Sequence, residues 1–409
     1  MAIGSARILA YGLLGLPLAF AALPIYVHVP RFYAQVTGME LAMLGAILLG
    51  ARLFDAVIDP WLGWLADRVS RRRMVMLALL PFTLGFVALL NPPPGHAAAW
   101  LLGSLVVTYV GFSAASVAYQ AWGAAIGSEP VLRTRLTAAR EGFGLLGVLL
   151  AAALPAALAL ELNVGIARLA WVLPALLLPA AALILFCVPA ERRLTLSHQP
   201  MLPSLHRVWA DRAFRRLLLV FVASGIAAAL PATLFLFFVA DVLQREAASG
   251  ALLGLYFLAG AASLPGWVWL AARVGRVRAW LGAMLLSIAA FAGAGLLGSG
   301  DLAPFALICL ASGLALGADL ALPAAIAADL GERQGQSGAV FGVWNFVAKL
   351  NLALAAGLAL PLLAWLGYAP ASGDGLPALR AAYALMPLVF KALAAALLWR
   401  WRHDLEIPT

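Results

Sequence analysis

The chain has 409 residues, of which 64% are hydrophobic and 11% charged, against roughly 25% charged in a soluble globular domain. With a mean hydropathy of +0.98, this composition excludes a water-soluble enzyme and a disordered chain. The net charge of +9 and pI of about 10.1 suggest nucleic acid at first sight, but where the charges fall points to a membrane instead.

A helical span needs about 20 mostly apolar residues. Twelve stretches qualify, near 8–29, 38–66, 74–91, 98–127, 137–160, 168–190, 215–240, 249–272, 279–298, 303–330, 339–366 and 378–400. Long apolar runs such as Leu145 to Leu160 exclude a β-barrel of short alternating strands. The first stretch runs from Ile8 past Tyr26, too long for the core of a leader, and reads as a helix. Cys187 and Cys309 both fall within spans, so neither a disulfide nor a metal site is expected. The predicted fold is all-α and polytopic, with twelve transmembrane helices in two six-helix halves. The expected divisions are 1–190, a cytoplasmic linker at 191–214, 215–400, and a tail at 401–409.

An even number of spans places both ends on one side. With both termini cytoplasmic, 19 of the 27 basic residues lie in inner loops and tails, and four (Arg31, Arg168, Arg245, Arg380) lie outside. That is the positive-inside pattern of a cell inner membrane protein, and it explains the pI without nucleic acid. The last four basic residues, Arg52, Arg140, Lys349 and Lys391, lie inside spans. Lys391 is expected to snorkel to the inner face from the last span.

Trp64-Leu-Ala-Asp-Arg-Val-Ser-Arg-Arg-Arg73 recurs 205 residues later as Trp269-Leu-Ala-Ala-Arg-Val-Gly-Arg-Val-Arg278. Two six-span halves joined by a longer inner loop are the parallel-repeat plan of major facilitator transporters. The joining loop has Leu202, Leu205, Val208 and Trp209 at helical spacing, so it is either a short interfacial helix or an unstructured linker. Gly63 through Asp67, Arg68, Arg71 and Arg72 resembles the loop signature G-x-x-x-D-R-x-G-R-R of that superfamily, with Ser70 at a glycine position. Its physical role is either a gate latch, in which Asp67 approaches the start of a neighbouring helix, or a plain positive-inside anchor.

Ionisable residues at bilayer depth are costly and are functional candidates by default. Asp55 and Asp59 are one turn apart on the second span, with Arg52 near the same face and Pro60 following. Two carboxylates that close together in low dielectric need a proton or a cation between them, which makes a coupling site for H⁺ or Na⁺. The structural alternative is permanent neutralisation by Arg52. Arg140 and Glu141 lie on the fifth span, Asp319 and Asp329 on the tenth, and Lys349 on the eleventh. Counting from the inner span ends puts Asp55, Asp319 and Lys349 about 15–17 Å deep, where transporter sites lie. Asp319 is either a site residue or a structural partner for Lys349, and Asp329 is expected at a gate.

Arg52-Leu-Phe-Asp55-Ala-Val-Ile-Asp59-Pro60-Trp-Leu-Gly63 resembles the R-x-x-D-A-x-x-D-P-x-x-G motif of the glycoside–pentoside–hexuronide:cation symporters, the melibiose-permease group. Tyr119-Gln-Ala-Trp122 through Arg140-Glu, and Phe341-Gly-Val-Trp344 through Lys349, are similar to that family's fourth-to-fifth and eleventh spans. The resemblance implies cation ligation by Asp55 and Asp59. It implies substrate binding by Arg140, Lys349, Trp122, Tyr119 and Trp344, with Trp122 lining the cavity. Sugar-carrying members place acids in the first and fourth spans. Here there is no charge between Arg7 and Arg31 or between Arg73 and Glu129, and Ile58 stands where a family member has an Asn near the cation. The expected activity is therefore cation-coupled symport of a small organic solute, anionic or amphipathic rather than a plain sugar. A proton-coupled exporter and a transporter-fold assembly factor are the alternatives. The expected partners are the solute, the coupling cation and the bilayer. No cofactor beyond the coupling ion is expected, nor enzymatic activity, and the expected state is a monomer.

Overall fold

Most residues of these segments are apolar, so each closes its backbone hydrogen bonds internally, as the hydrocarbon layer requires. A computed structural model describes residues 4–190, 200–368 and 375–406. The helices are α1 (Ser5–Thr37), α2 (Leu41–Ala66), α3 (Arg71–Leu89), α4 (Ala97–Ile126), α5 (Pro130–Leu158), α6 (Leu162–Cys187) and α7 (Met201–Ala210). They continue as α8 (Arg212–Val242), α9 (Ser249–Val274), α10 (Arg276–Ala292), α11 (Leu302–Gln334), α12 (Ser337–Trp365), α13 (Leu376–Arg400) and α14 (Arg402–Leu405). No strand occurs among the described residues.

Eleven helices of the described chain are long and apolar enough to cross a membrane. The remaining predicted span, α2, has 26 residues but carries Arg52, Asp55 and Asp59. In the linker, α7 forms where the helical spacing falls and buries Ser204 and Val208; residues 191–199 of that linker lie outside the described residues. A π turn interrupts α1 at Pro24–His28, and another ends α8 at Phe238–Val242, so the first helix of each sequence half carries one.

The chain forms two compact units, Met1–Val208 with Ala327–Phe346, and Trp209–Ile326 with Val347–Thr409. This differs from the division at the linker. The C-terminal end of α11 and the start of α12 join the first unit because their polar groups are bound by side chains of α2, α3 and α5, described below.

In the first unit, glycines let helices meet backbone to backbone, as small residues do in membranes. A Cβ on Gly147 of α5 would lie 2.1 Å from the Leu16 carbonyl of α1, and one on Gly111 of α4 would lie 2.3 Å from the Phe82 nitrogen of α3. In the second unit, aromatic rings fill the core. Phe238 stacks on Tyr383 with ring centroids 4.1 Å apart, and Phe305 stacks on Phe238 at 5.4 Å.

Candidate functional site

Asp55 and Asp59 are both buried, 2% and 0% exposed. Their four-residue spacing on α2 sets them on one face. The Ser113 hydroxyl of α4 donates to Asp55 Oδ1 at 2.6 Å. Arg52 is exposed, with its guanidinium carbon 4.8 Å from the centroid of the Tyr26 ring.

Arg140 of α5 donates through Nε to Glu141 Oε1 at 3.0 Å. The two substrate-site aromatics implied for α4, Tyr119 and Trp122, are both buried. Tyr119 is 1% exposed and exchanges hydrogen bonds with Tyr11 of α1. The Tyr11 hydroxyl donates to the Tyr119 carbonyl at 2.9 Å, the Tyr119 hydroxyl donates to the Tyr11 carbonyl, and the rings lie 4.5 Å apart. Trp122 is fully buried and donates its indole N–H to the Pro189 carbonyl at 3.1 Å. The cavity-lining place implied for Trp122 is therefore corrected to an internal packing position. Trp344 is buried at the start of α12 in the first unit. Lys349, less than a turn and a half further on, is half-buried and belongs to the second unit.

The loop after α2 makes a denser network. Asp67 is 4% exposed and accepts from the backbone N–H groups of Gly338 and Ala339 at 2.7 and 2.8 Å. These amides lie in the first turn of α12, where the helix itself supplies no acceptor. Arg71 donates to Asp67 Oδ1 at 3.0 Å, to the Ala121 carbonyl at 3.2 Å and to Glu332 at 3.4 Å. Glu332 also accepts from the Ser337 hydroxyl. Burial pushes the Asp67 carboxyl above the usual carboxylate range, with Arg71 and the two amides pulling it down. Gly63 and Gly338 permit this approach. A Cβ on Gly63 would lie 2.4 Å from the Gly338 carbonyl oxygen, and one on Gly338 would lie 2.3 Å from that of Gly63. Arg68 stacks over Trp64 at 4.0 Å, and Arg72 donates to the Leu185 carbonyl. Ser70 has a local task at its glycine position: its hydroxyl accepts from the Arg73 N–H and caps α3. Asp329, 1% exposed, pairs with Arg133 at 2.6 Å.

The second unit repeats part of this arrangement. Arg273 stacks over Trp269 at 4.0 Å, as Arg68 does over Trp64. Arg276 donates to the Ala325 carbonyl at 3.2 Å, as Arg71 does to Ala121. The position of Asp67 is taken by Ala272. Glu406, past α14, supplies a carboxylate instead and accepts from the backbone N–H groups of Val277 and Arg276. Burial raises the Glu406 carboxyl while Arg276 pulls it down. Gly275 is required there, since its φ is +93° and a Cβ would lie 2.2 Å from Glu406 Oε1.

Asp319 does not take Lys349 as partner in this unit. It pairs with Lys391, accepts the Trp280 indole N–H at 2.8 Å and accepts the Ser224 hydroxyl at 3.4 Å. Lys391 is 5% exposed, so its expected escape to the inner face is corrected. It lies about nine residues, roughly 14 Å, from the end of α13. That distance is too long for its stem to reach water, so an ion pair neutralises it instead. Sequence reasoning passed over Arg133, Glu332, Ser337, Arg276 and Glu406. Only Arg276 had a visible signal, its register with Arg71 in the repeat.

Among the described residues, no group of three or more His, Cys, Asp or Glu side chains could hold a metal ion. The family described as MFS/sugar transport protein matches residues 8–404. The chain belongs to that family. It is a multi-pass membrane transporter of the secondary type and not an enzyme, and its setting is a lipid bilayer with a small-molecule substrate. Solved structures agree on the fold. A bacterial homologue of the iron transporter ferroportin, in an outward-facing state, superposes with a TM-score of 0.73 at 16% identity, covering 98% of this chain and 100% of that one. The E. coli fucose:proton symporter gives 0.71 at 16% identity, covering 97% of each chain. A human organic anion transporter gives 0.68 at 19% identity, covering 96% of this chain and 98% of that one. The fold is therefore the major facilitator fold.

Proposed function

We propose that the protein couples movement of a small organic solute, anionic or amphipathic, to entry of a cation, H⁺ or Na⁺, by alternating access. One observation carries the coupling reading: two acids, 2% and 0% exposed, stand one turn apart on α2. Such a pair does not remain doubly ionised at bilayer depth without a proton or cation. Ser113 orients Asp55, leaving the pair pre-arranged for a small hard ion. Asp67 and the glycines beside it act as a latch on the start of α12, and Arg133 with Asp329 ties the end of α11 to α5. Released together, these contacts free both helix ends. The basic inner loops orient the protein in the cell inner membrane with both termini in the cytoplasm.

The test is purified protein in liposomes under an imposed H⁺ or Na⁺ gradient, with labelled sugars, organic anions and lysolipids outside. Gradient-driven accumulation of an acid or amphiphile, lost in Asp59→Asn, is expected. Intact accumulation in Asp59→Asn removes the coupling site. Accumulation only when the gradient is reversed makes the protein an exporter.

A further inference from the structure

The first unit carries a groove of about 700 Å³ walled by α2, α3 and α4, within the range of roughly 300–1,000 Å³ common to small-molecule sites. Trp61, Leu77, Pro81 and Val110 belong to its apolar length, and Arg68, Ser70 and Arg73 to its polar end. No acid lines it, so its charge is +2. The nearest acid in sequence, Asp67, is buried and turned to Arg71 and the amides of α12.

Helix geometry gives the groove a direction. Arg68 follows the end of α2, and Arg73 lies in the first turn of α3. Trp61 is seven residues back from Arg68 and Pro81 eight on from Arg73, about 10 and 12 Å along their helices. The groove therefore runs from two guanidinium groups at a membrane boundary into apolar depth. At the deep end α4 forms the floor, where Gly111 sits against the Phe82 backbone of α3. Leu77 is 75% exposed and Trp61 44%. In a chain that crosses a membrane, such large apolar side chains open onto hydrocarbon. Arg73 is exposed too, and its described hydrogen bond, to Ser70, is made by its backbone N–H and not by its guanidinium.

We propose that this groove binds an anionic glycerophospholipid of the surrounding leaflet. Its phosphate meets the Arg73 guanidinium, Arg68 flanks the head group, and the start of one acyl chain lies along Leu77 toward Trp61 and Pro81. A guanidinium fork matches phosphate geometry, and each basic side chain at the membrane surface favours an anionic head. A zwitterionic lipid brings its own cation to the same two arginines and loses that advantage. A soluble phosphate ester keeps the anion but leaves the apolar wall uncovered. The lipid would rest on the loop that carries the Asp67 latch, and it needs neither coupling ion nor transported solute to bind.

The test titrates the full-length, delipidated protein in detergent with phosphatidylglycerol or with phosphatidylcholine of the same acyl chains, and counts retained lipid by native mass spectrometry. Phosphatidylglycerol should bind about 25-fold more tightly, and Arg68→Gln with Arg73→Gln should remove that preference, about fivefold for each arginine. Arg245→Gln, which removes an exposed cation elsewhere in the chain, should leave it unchanged. Glycerol 3-phosphate, an anion without a chain, should not displace the lipid. Equal retention of the two lipids by the unaltered protein overturns the proposal, as does a preference that survives the double substitution or falls as far in Arg245→Gln. Displacement by glycerol 3-phosphate makes the arginines a soluble-anion site and overturns it as well. The two-lipid comparison on the unaltered protein decides the matter even where the double variant folds poorly. Binding is read without a gradient, so its failure leaves the coupling site untouched.

Discussion

Gly63→Ala probes the latch without removing any of its hydrogen-bonding groups. The added methyl would lie 2.4 Å from the Gly338 carbonyl oxygen and 2.9 Å from Gly342 Cα. Both neighbours are backbone, so neither can rotate away. Overpacking of this kind costs about 1–3 kcal/mol, and a backbone obstacle puts the cost near the upper end. The penalty falls only on the state in which α2 touches the start of α12. It therefore shifts the latched-to-released ratio by about 5- to 150-fold. Hydrogen–deuterium exchange at Gly338 and Ala339 reads this directly, because those amides donate to Asp67 at 2.7 and 2.8 Å when latched. Their exchange should accelerate by the same factor, and gradient-driven uptake should slow. Gly45→Ala is the control, since nothing lies within 4 Å of a Cβ there on the same helix. If Gly63→Ala and Gly45→Ala both exchange and transport like the parent, the close approach at Gly63 has no bearing on the transport cycle.

Three further outcomes are expected. Arg133→Met removes the 2.6 Å ion pair of the buried Asp329 and should lower thermal stability by about 3 kcal/mol, most of it recovered in Arg133→Met with Asp329→Leu; melting in detergent measures both. Ser113→Ala removes the 2.6 Å bond to Asp55 and should weaken the apparent affinity for the coupling cation by up to about tenfold, read from uptake against cation concentration. Acid should favour the latched state. The Asp67 carboxyl is raised by burial in that state, so it holds its proton more tightly there than when exposed to water, and latching gains as pH falls through the raised value. Exchange at Gly338 and Ala339, corrected for intrinsic rate, should slow on acidification with Asp67, Arg71 and Glu332 intact, and Asp67→Asn should abolish that dependence.

Hydropathy and charge placement made the helices legible, because crossing a membrane constrains each segment by itself. Every predicted span has its helix, including α2 with its three charges. Pairing was not legible, because counting residues from a span end gives depth but not the facing helix. Lys391 and Lys349 are each about ten residues or so from an inner end by that measure, yet Lys391 is the one that faces Asp319. The same limit hid Arg133, whose acid lies 196 positions away on α11. The internal repeat goes further than hydropathy, because it carries contacts as well as polarity. Trp64 with Arg68 and Trp269 with Arg273 stack at the same 4.0 Å, and Arg71 and Arg276 reach carbonyls at the same 3.2 Å. The repeat fails at the acid. Asp67 has no copy at Ala272, and Glu406 binds the amides of Arg276 and Val277 from the far end of the chain. The two acids therefore hold different things. Asp67 grips the first turn of α12, a helix distant in sequence, and Glu406 grips the first turn of α10, next to the arginine itself. An acid that reaches a distant helix can gate it. An acid from the tail that closes on the adjacent loop fixes that loop in place. The half-copy in the sequence thus marks where two equivalent loops carry unequal mechanical tasks, and the asymmetry lies in the acid, which the repeat does not keep at Ala272.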